Sequence, residues 1–318
     1  MIEKPDGGAV GGDPIVTIVV ATYNHARFIG AAIDGALAQA TSFPVEILIS
    51  EDASTDGTRA IVEAAAAAHP ERIRTILSPR NVRSNAVISR ALRQARGRYV
   101  ALLDGDDHWT DPGRLQRLAD HLDAHPGTAA VFDNAWVAEG DVVGGRLWTR
   151  PDHPARLDLD GILQGNPYAT CAGLLRRACL SDLPDWYDGL FPITDWLLYI
   201  LCARHGTLDF LGVPSAVYRL HPGGLFSSLG GEAKMEAVAG FYRQVIERAG
   251  PEIAAQARIG GARYFMAWAE EKAKAGDLSS AWACYRRALA LGGPALALPR
   301  REALRTGSRL LKRTMRRA

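Results

Sequence analysis

Asp104-Gly105-Asp106-Asp107 closes the apolar run Tyr99–Leu103. A run this short and this apolar is the pattern of a buried strand. In open α/β sheets the ligand site lies just past the carboxyl ends of the strands, where these acids fall. Carboxylates crowded into one turn repel one another unless a cation or hydrogen bonds hold them. A hard divalent ion carried by a diphosphate meets that need with oxygen ligands. The chemistry on offer is therefore a metal–nucleotide site on a parallel sheet, and the alternative is a solvated acidic loop.

Two further segments occupy matching places. Ala21-Thr22-Tyr23-Asn24 ends the apolar run that begins at Ile15. Thr22 and the Tyr23 ring can hold a base or ribose there; alternatively this is a plain strand-to-helix turn with Asn24 as the cap. Glu51–Thr58 follows the run Val45–Ser50. Asp52 in it can accept a hydrogen bond from a uracil-like or guanine-like N–H, while Asp56 caps the helix that follows.

The elements that must position these residues alternate along the chain. Strands are expected at Ile15–Ala21, Val45–Ser50, Arg72–Leu77 and Tyr99–Leu103, and helices at Ala26–Ala40, Thr58–Ala68 and Ser84–Ala95. That alternation predicts a doubly wound, mostly parallel sheet. Asp111-Pro112 reads as cap and first position of a helix to about Ala124. Val131–Val143, with Glu139-Gly140-Asp141 inside it, reads as a hairpin. Asp195–Cys202 reads as a helix, Leu208–Leu211 and Ser215–Leu220 as short strands, and His221-Pro222-Gly223-Gly224 as a loop. Beyond Gly230 the text is helical and Ala-rich. Tyr264–Ala275 and Ser279–Leu291 are expected helices, and Ala281, Tyr285 and Ala288 have the spacing of one tetratricopeptide-type hairpin. The expected division is a flexible N-terminus at 1–13, an α/β domain at 14–230 and a helical region with a basic tail at 231–318.

The segments TIVVATYNH, ISEDASTDGT and YVALLDGDD, each at a strand end and in this order, together resemble the family 2 glycosyltransferases of the GT-A fold. The resemblance covers roughly residues 14 to 228. It implies a nucleoside-diphosphate-sugar donor, a divalent metal (Mn²⁺ or Mg²⁺) and inversion at the anomeric carbon. On the family pattern, Thr22, Tyr23 and Asn24 form the first nucleotide-contacting turn, and Asp52 reads the base. Asp104 and Asp106 are the DxD pair, with Asp106 on the metal and Asp104 on the ribose or a metal-bound water. Gly105 is expected to let the chain bend so that both carboxylates face inward. Asp195, in Pro192-Ile193-Thr194-Asp195-Trp196, takes the place of the general base; its plain alternative is a helix cap. His221, in Tyr218-Arg219-Leu220-His221, takes the place of a metal-reaching histidine, which favours Mn²⁺, and Arg219 pairs with phosphate or with a core acid. Trp109 and Trp196 either face sugars or fill the core. The chain departs from the pattern at Ala21, where many relatives carry proline. It departs again at Asn81-Val82-Arg83, where a glycine is missing and Arg83 either touches phosphate or marks a different loop. The Q-x-x-R-W signature of processive synthases is absent, which favours addition of a single sugar.

Bulk properties narrow the alternatives. With 318 residues, 47% hydrophobic and 23% charged, the chain has the composition of a soluble globular protein. A net charge of +2 gives no argument for nucleic acid. Four cysteines without paired spacing suit buried free thiols in a reducing cytosol. No signal-type segment and no run of the roughly 18 apolar residues a membrane span needs is found, so a cytoplasmic location is expected. Arg300–Ala318 is basic, with Leu304, Leu310, Leu311 and Met315 interspersed; it reads as a membrane-surface helix or a solvated end. The former suits a lipid-linked glycan acceptor, and cell-surface polysaccharide or lipopolysaccharide synthesis is the setting the resemblance suggests. A dinucleotide-binding oxidoreductase is excluded because no G-x-G-x-x-G follows the first strand. A sugar-nucleotide pyrophosphorylase would need a Gly-rich, Arg-containing phosphate loop after the first strand, where this chain has Thr22-Tyr23-Asn24. The remaining alternative is an inactive nucleotide-sugar-binding module that uses its helical region for protein contacts; the full set of acids and His221 argues against it.

Overall fold

The computed structural model describes residues 13–140, 142–292 and 300–315; expectations for 1–12, Asp141, 293–299 and 316–318 lie outside the described residues. The first half alternates as expected: β1 (Val16–Thr22), α1 (Ile29–Leu37), β2 (Val45–Glu51), α2 (Thr58–Ala68), β3 (Ile73–Leu77), α3 (Ala86–Gln94) and β4 (Tyr99–Asp104). Then come β5 (His108–Trp109), α4 (Arg114–Ala124), β6 (Thr128–Glu139), β7 (Val142–Leu147), β8 (Arg156–Leu157), α5 (Leu159–Leu163) and β9 (Gly173–Arg176). The chain continues through α6 (Trp196–Ala203) and β10 (Thr207–Leu220) to four helices: α7 (Gly231–Arg248), α8 (Pro251–Lys274), α9 (Leu278–Gly292) and α10 (Arg300–Met315).

The sheet order is β3-β2-β1-β4-β9-β6-β10-β5, with β7 on β6 and β8 on β10. Its long pairings, β1 with β2 and β4, β2 with β3, and β6 with β10, are all parallel. Short antiparallel pairings insert β9 between β4 and β6. Alternate residues of each central strand face opposite layers. Ile18, Val20, Ile47, Ile49, Ala101 and Leu103 pack toward α1, α2 and α4, whereas Val19, Leu48, Val100 and Leu102 pack toward α3, α6 and the C-terminal helices. Burial on both faces is why these strands read as unbroken apolar runs.

Several local expectations are corrected. The first helix starts at Ile29 rather than Ala26, because residues 25–28 form a separate turn that carries His25. The helix after the acids starts at Arg114 with Gly113 at its cap; the Asp111 carboxylate accepts from Gly113 N at 2.8 Å and pairs with Arg117, so Asp-Pro makes the preceding turn. Asp56 acts one residue ahead of the Gly57 cap of α2, accepting from Thr58 N at 3.1 Å and from Ala26 N at 3.0 Å. The two short strands near the end of the sheet are one strand, β10, with register shifts around Pro214. The hairpin is present as β6 and β7.

The helical region shares its core with the sheet. One apolar cluster runs from Val19 and Leu102 through Trp196 to Phe241, Phe265 and Cys284. Gly260 of α8 allows this approach: a Cβ there would stand 2.3 Å from Leu163 O. The α8–α9 hairpin buries Ala281 and Ala288, as their spacing predicts. On α10, Leu310 is buried, while Leu311 and Met315 are 54% and 71% exposed. All four cysteines are buried with free thiols. Among the described residues no helix is long and apolar enough to cross a membrane.

Candidate active site

Parallel register brings the separated motifs together. Ala21 pairs with Asp104 and Thr22 with Glu51, so Thr22-Tyr23, Asp52 and Asp104 emerge at one edge of the sheet. They line a cleft of about 440 Å³ together with Arg83, Asp106 and Asp195, a volume suited to a small-molecule ligand.

Asp106 is the hub of the acidic turn. Its Oδ2 lies 2.9 Å from His221 Nε2 and 3.8 Å from His25 Nε2. Burial opposes its ionisation, but the His221 contact and the charge of both imidazoles hold its pKa below the ordinary value. Asp104 behaves oppositely: burial, then the Asp106 and Asp195 carboxylates, push its pKa well up. Asp107 faces inward; its Oδ1 accepts from Arg219 N at 2.8 Å, and its carboxylate also meets the buried Cys171 thiol. Arg219 Nη1 donates to Asp106 O at 2.5 Å, so in place of a core acid it braces the backbone of the acidic turn. Gly105 is required by close approach and not by a special bend. A Cβ there would meet Thr22 Oγ1 at 2.6 Å and His25 Nδ1 at 2.9 Å.

Asp52 is buried and held in place: its carboxylate accepts from Ser78 Oγ at 3.0 Å and from Val82 N at 3.0 Å. Tyr23 lies on the cleft wall. Asn24 is directed elsewhere: its Oδ1 accepts from Thr55 N at 2.8 Å, which ties the β1–α1 loop to the β2–α2 loop. Arg83 is exposed on the cleft rim with φ of 46°, a backbone conformation uncommon for a non-glycine residue.

Asp195 sits at the N-cap of α6, but its side chain makes no capping hydrogen bond. Instead Oδ2 accepts from Asn166 Nδ2 and Thr170 Oγ1, both at 3.1 Å. Burial raises its pKa above the usual carboxylate range, and the two donors offset that only in part. Trp196 stacks on Phe241 and donates to Ile162 O at 2.8 Å, and Trp109 donates to Cys171 O; both are core residues. Sequence reasoning missed His25, which directly follows the Thr22-Tyr23-Asn24 turn, and Asn166 and Thr170, whose stretch carried no signal.

Among the described residues no three or more His, Cys, Asp or Glu side chains are disposed to hold a metal ion by themselves. One carboxylate and one imidazole, Asp106 and His221, are in contact at the cleft. That donor set fits a cation which brings most of its oxygen ligands on a substrate diphosphate, and it does not fit a resident all-protein site.

Comparison with known proteins gives the family and the fold. The chain is 38% identical over 216 residues to an uncharacterized protein of Mycobacterium tuberculosis, a match covering 67% of this chain and 61% of that one. It is 40% identical over 128 residues to the succinoglycan biosynthesis protein ExoO of Rhizobium meliloti, covering 40% of this chain and 35% of the relative. The chain thus spans about 61% or less of the length of these relatives. Among solved structures, S. aureus TarS 1–349 in complex with UDP-GlcNAc superimposes with a TM-score of 0.61 at 16% identity, covering 95% of this chain and 91% of that one. A mannosyltransferase from Pyrobaculum calidifontis in complex with GDP-Man and Mn²⁺ gives 0.58 at 21%, covering 96% and 87%. These likenesses show a GT-A fold. Residues 17–181, half of the chain, match the family described as glycosyl transferase family 2, and the chain belongs to that family.

Proposed function

We propose that this chain is an inverting glycosyltransferase that moves one sugar from a nucleoside-diphosphate sugar to a hydroxyl acceptor, in the synthesis of a cell-surface glycan. One observation carries the reading: a buried carboxylate of raised pKa, Asp195, lines the same cleft as Asp104 and Asp106. Inversion by in-line displacement needs a base on the face opposite the leaving group. Asp195 takes the acceptor proton on Oδ1, the oxygen that neither Asn166 nor Thr170 engages. Its basicity is above that of a solvated carboxylate, which suits proton removal as the new bond forms.

The nucleotide lies along the strand ends. Asp52 accepts from the base, Thr22 and Tyr23 flank it, Asp104 meets the ribose, and Arg83 reaches the phosphates. Asn24 serves indirectly, by fixing the loop beside Tyr23. Asp106 and His221 would hold a divalent cation, Mn²⁺ or Mg²⁺, whose chemistry is to neutralise the departing diphosphate. The printed names and ligands of the relatives, UDP-GlcNAc and GDP-Man with Mn²⁺ among them, support this reading of donor and cation. On α10, the exposed Leu311 and Met315 beside Lys312 and Arg313 support a peripheral contact with an anionic membrane.

The test is release of nucleoside diphosphate from a panel of UDP-, GDP- and dTDP-sugars, with and without Mn²⁺. The anomeric configuration of any product is read by NMR. Cation-dependent release with inverted product is expected. Binding of nucleoside diphosphate without turnover of any donor would instead identify an inactive binding module, and retained configuration would remove Asp195 as the base.

A further inference from the structure

Asn85 and Asp195 stand at the N-caps of α3 and α6, and neither side chain caps its own helix. Asn is among the residues best suited to capping, yet the Asn85 amide is engaged elsewhere. It crosses to the segment that leads into Asp195: Nδ2 donates to Tyr187 O at 3.1 Å and to Ile193 O at 2.8 Å. Asn85 N donates to Asp188 O in the same segment, also at 3.1 Å. Tyr187 continues the chain of contacts, its hydroxyl donating to Thr194 O at 2.5 Å. Both Asn85 and Tyr187 are fully buried. Burial, then the Asp195 and Asp104 carboxylates, push the Tyr187 phenol pKa well up, so the group remains a donor.

The two carbonyls immediately ahead of Asp195 are thus each held by a buried donor. A peptide unit is planar. Fixing Ile193 O and Thr194 O therefore fixes the units 193–194 and 194–195, and with them the Cα from which the Asp195 carboxylate projects. Behind Asp195, its own carbonyl accepts from Tyr199 N at 3.2 Å. At the side chain, Asn166 and Thr170 engage only Oδ2, so the place of Oδ1 follows from the backbone. Resting on the transferase reading, we propose that Asn85 and Tyr187 are positioning residues that set Asp195 Oδ1 against the acceptor hydroxyl. Neither lines the cleft, so they act through the backbone of residues 193–195 and touch no substrate. Displacing a reacting group by about 1 Å costs about a hundredfold in rate, which is the scale on which such a clamp acts.

Tyr187→Phe is the direct test, because it removes one hydroxyl and keeps the packed ring. Asn85→Ala removes the other clamp. Tyr99→Phe is the matched control: a second buried phenol that donates to a carboxylate, that of Asp123, at the start of β4 and away from the cleft. Release of nucleoside diphosphate is measured in the full chain with Mn²⁺ and a nucleotide sugar that the wild type turns over. Tyr187→Phe is expected to lower kcat about tenfold or more and to leave KM for the donor within about twofold. Its melting temperature should fall no further than that of Tyr99→Phe, which should keep the wild-type kcat. Asn85→Ala, where it folds, is expected to lower kcat at least as much. In an Asp195→Asn background, Tyr187→Phe should cost less than about twofold, since the group it places is gone. A wild-type kcat in Tyr187→Phe overturns the proposal. So does an equal loss in Tyr99→Phe, or a loss that persists in full in the Asp195→Asn background. No turnover of any donor by the wild type rejects the transferase reading and this proposal with it, whereas wild-type turnover unaffected by Tyr187→Phe rejects the proposal alone.

Discussion

The two halves of the cleft are built in different ways. The strand-end half stands on the ends of β1, β2 and β4, adjacent parallel strands whose register places Thr22, Glu51 and Asp104 side by side. The Asp195 half has no such frame. Its residues come from the stretch between β7 and β9, the segment before α6, the loop after β10, and helices α7 and α8. In the first half, sheet hydrogen bonds hold each motif in place locally. In the second, a single carboxylate depends on packing between elements far apart in sequence: Trp196 stacks on Phe241, and α5 presses on Gly260. A sheet edge therefore keeps its residues nearly independent of their surroundings, while the proposed acceptor side can be reshaped through helices and loops.

The largest effect is expected on the donor side. Asp106→Ala should lower kcat/KM by about a thousandfold or more by removing the group that places the diphosphate. It should also abolish the Mn²⁺-dependent thermal stabilisation by nucleoside diphosphate, with the unliganded melting temperature little changed. Stabilisation that persists in the variant would break the assignment of Asp106.

Asp195→Asn should reduce turnover by about a hundredfold or more, the contribution of a general base, with unchanged affinity for nucleoside diphosphate. The wild-type rate should follow the ionisation of Asp195. Activity needs the carboxylate, and its pKa is raised by burial, so activity is full above that pKa and falls as pH drops through it. The acid limb therefore lies above the ordinary carboxylate range and vanishes in the residual activity of the Asn variant. A pH–rate profile of both proteins checks this.

Gly260→Ala sharpens the contrast between halves. Its Cβ meets backbone at Leu163 O, so chemical denaturation should show a loss of about 1–3 kcal/mol. Trp196 donates to the adjacent Ile162 O, so transfer should fall more than nucleoside-diphosphate binding does. Equal losses in both would show that the halves are mechanically joined. The smallest effect is expected at the periphery: Lys312→Gln should weaken binding to anionic vesicles by about 1 kcal/mol, read by co-sedimentation at low and high salt.

Much of this arrangement was legible before the structure. The strands β1, β2 and β4 are buried on both faces, which forces short unbroken apolar runs, and the polar residues directly after them had to fall at a sheet edge. Thr22, Tyr23, Asp52, Asp104 and Asp106 are expected at one place for this reason, and Asp195 and His221 through the resemblance; the fold brings them to one cleft. The role of Asn24 was not legible, because its partner Thr55 lies across a loop and its geometry depends on how two turns meet. The sequence suggests a bend as the need for glycine at 105, since only the folded chain shows Thr22 and His25 where a Cβ would be.

By itself the sequence determined the sheet, the order of the motifs and the acids at one edge, because hydrophobic periodicity and parallel register are local properties repeated along the chain. Only the tertiary structure decided that His25 and His221 converge on Asp106, that Asn166 and Thr170 hold Asp195, and that the C-terminal helices share the core beneath it. Those contacts join residues widely separated along the chain, and they arise from the packing of layers, which no pattern within a single segment encodes.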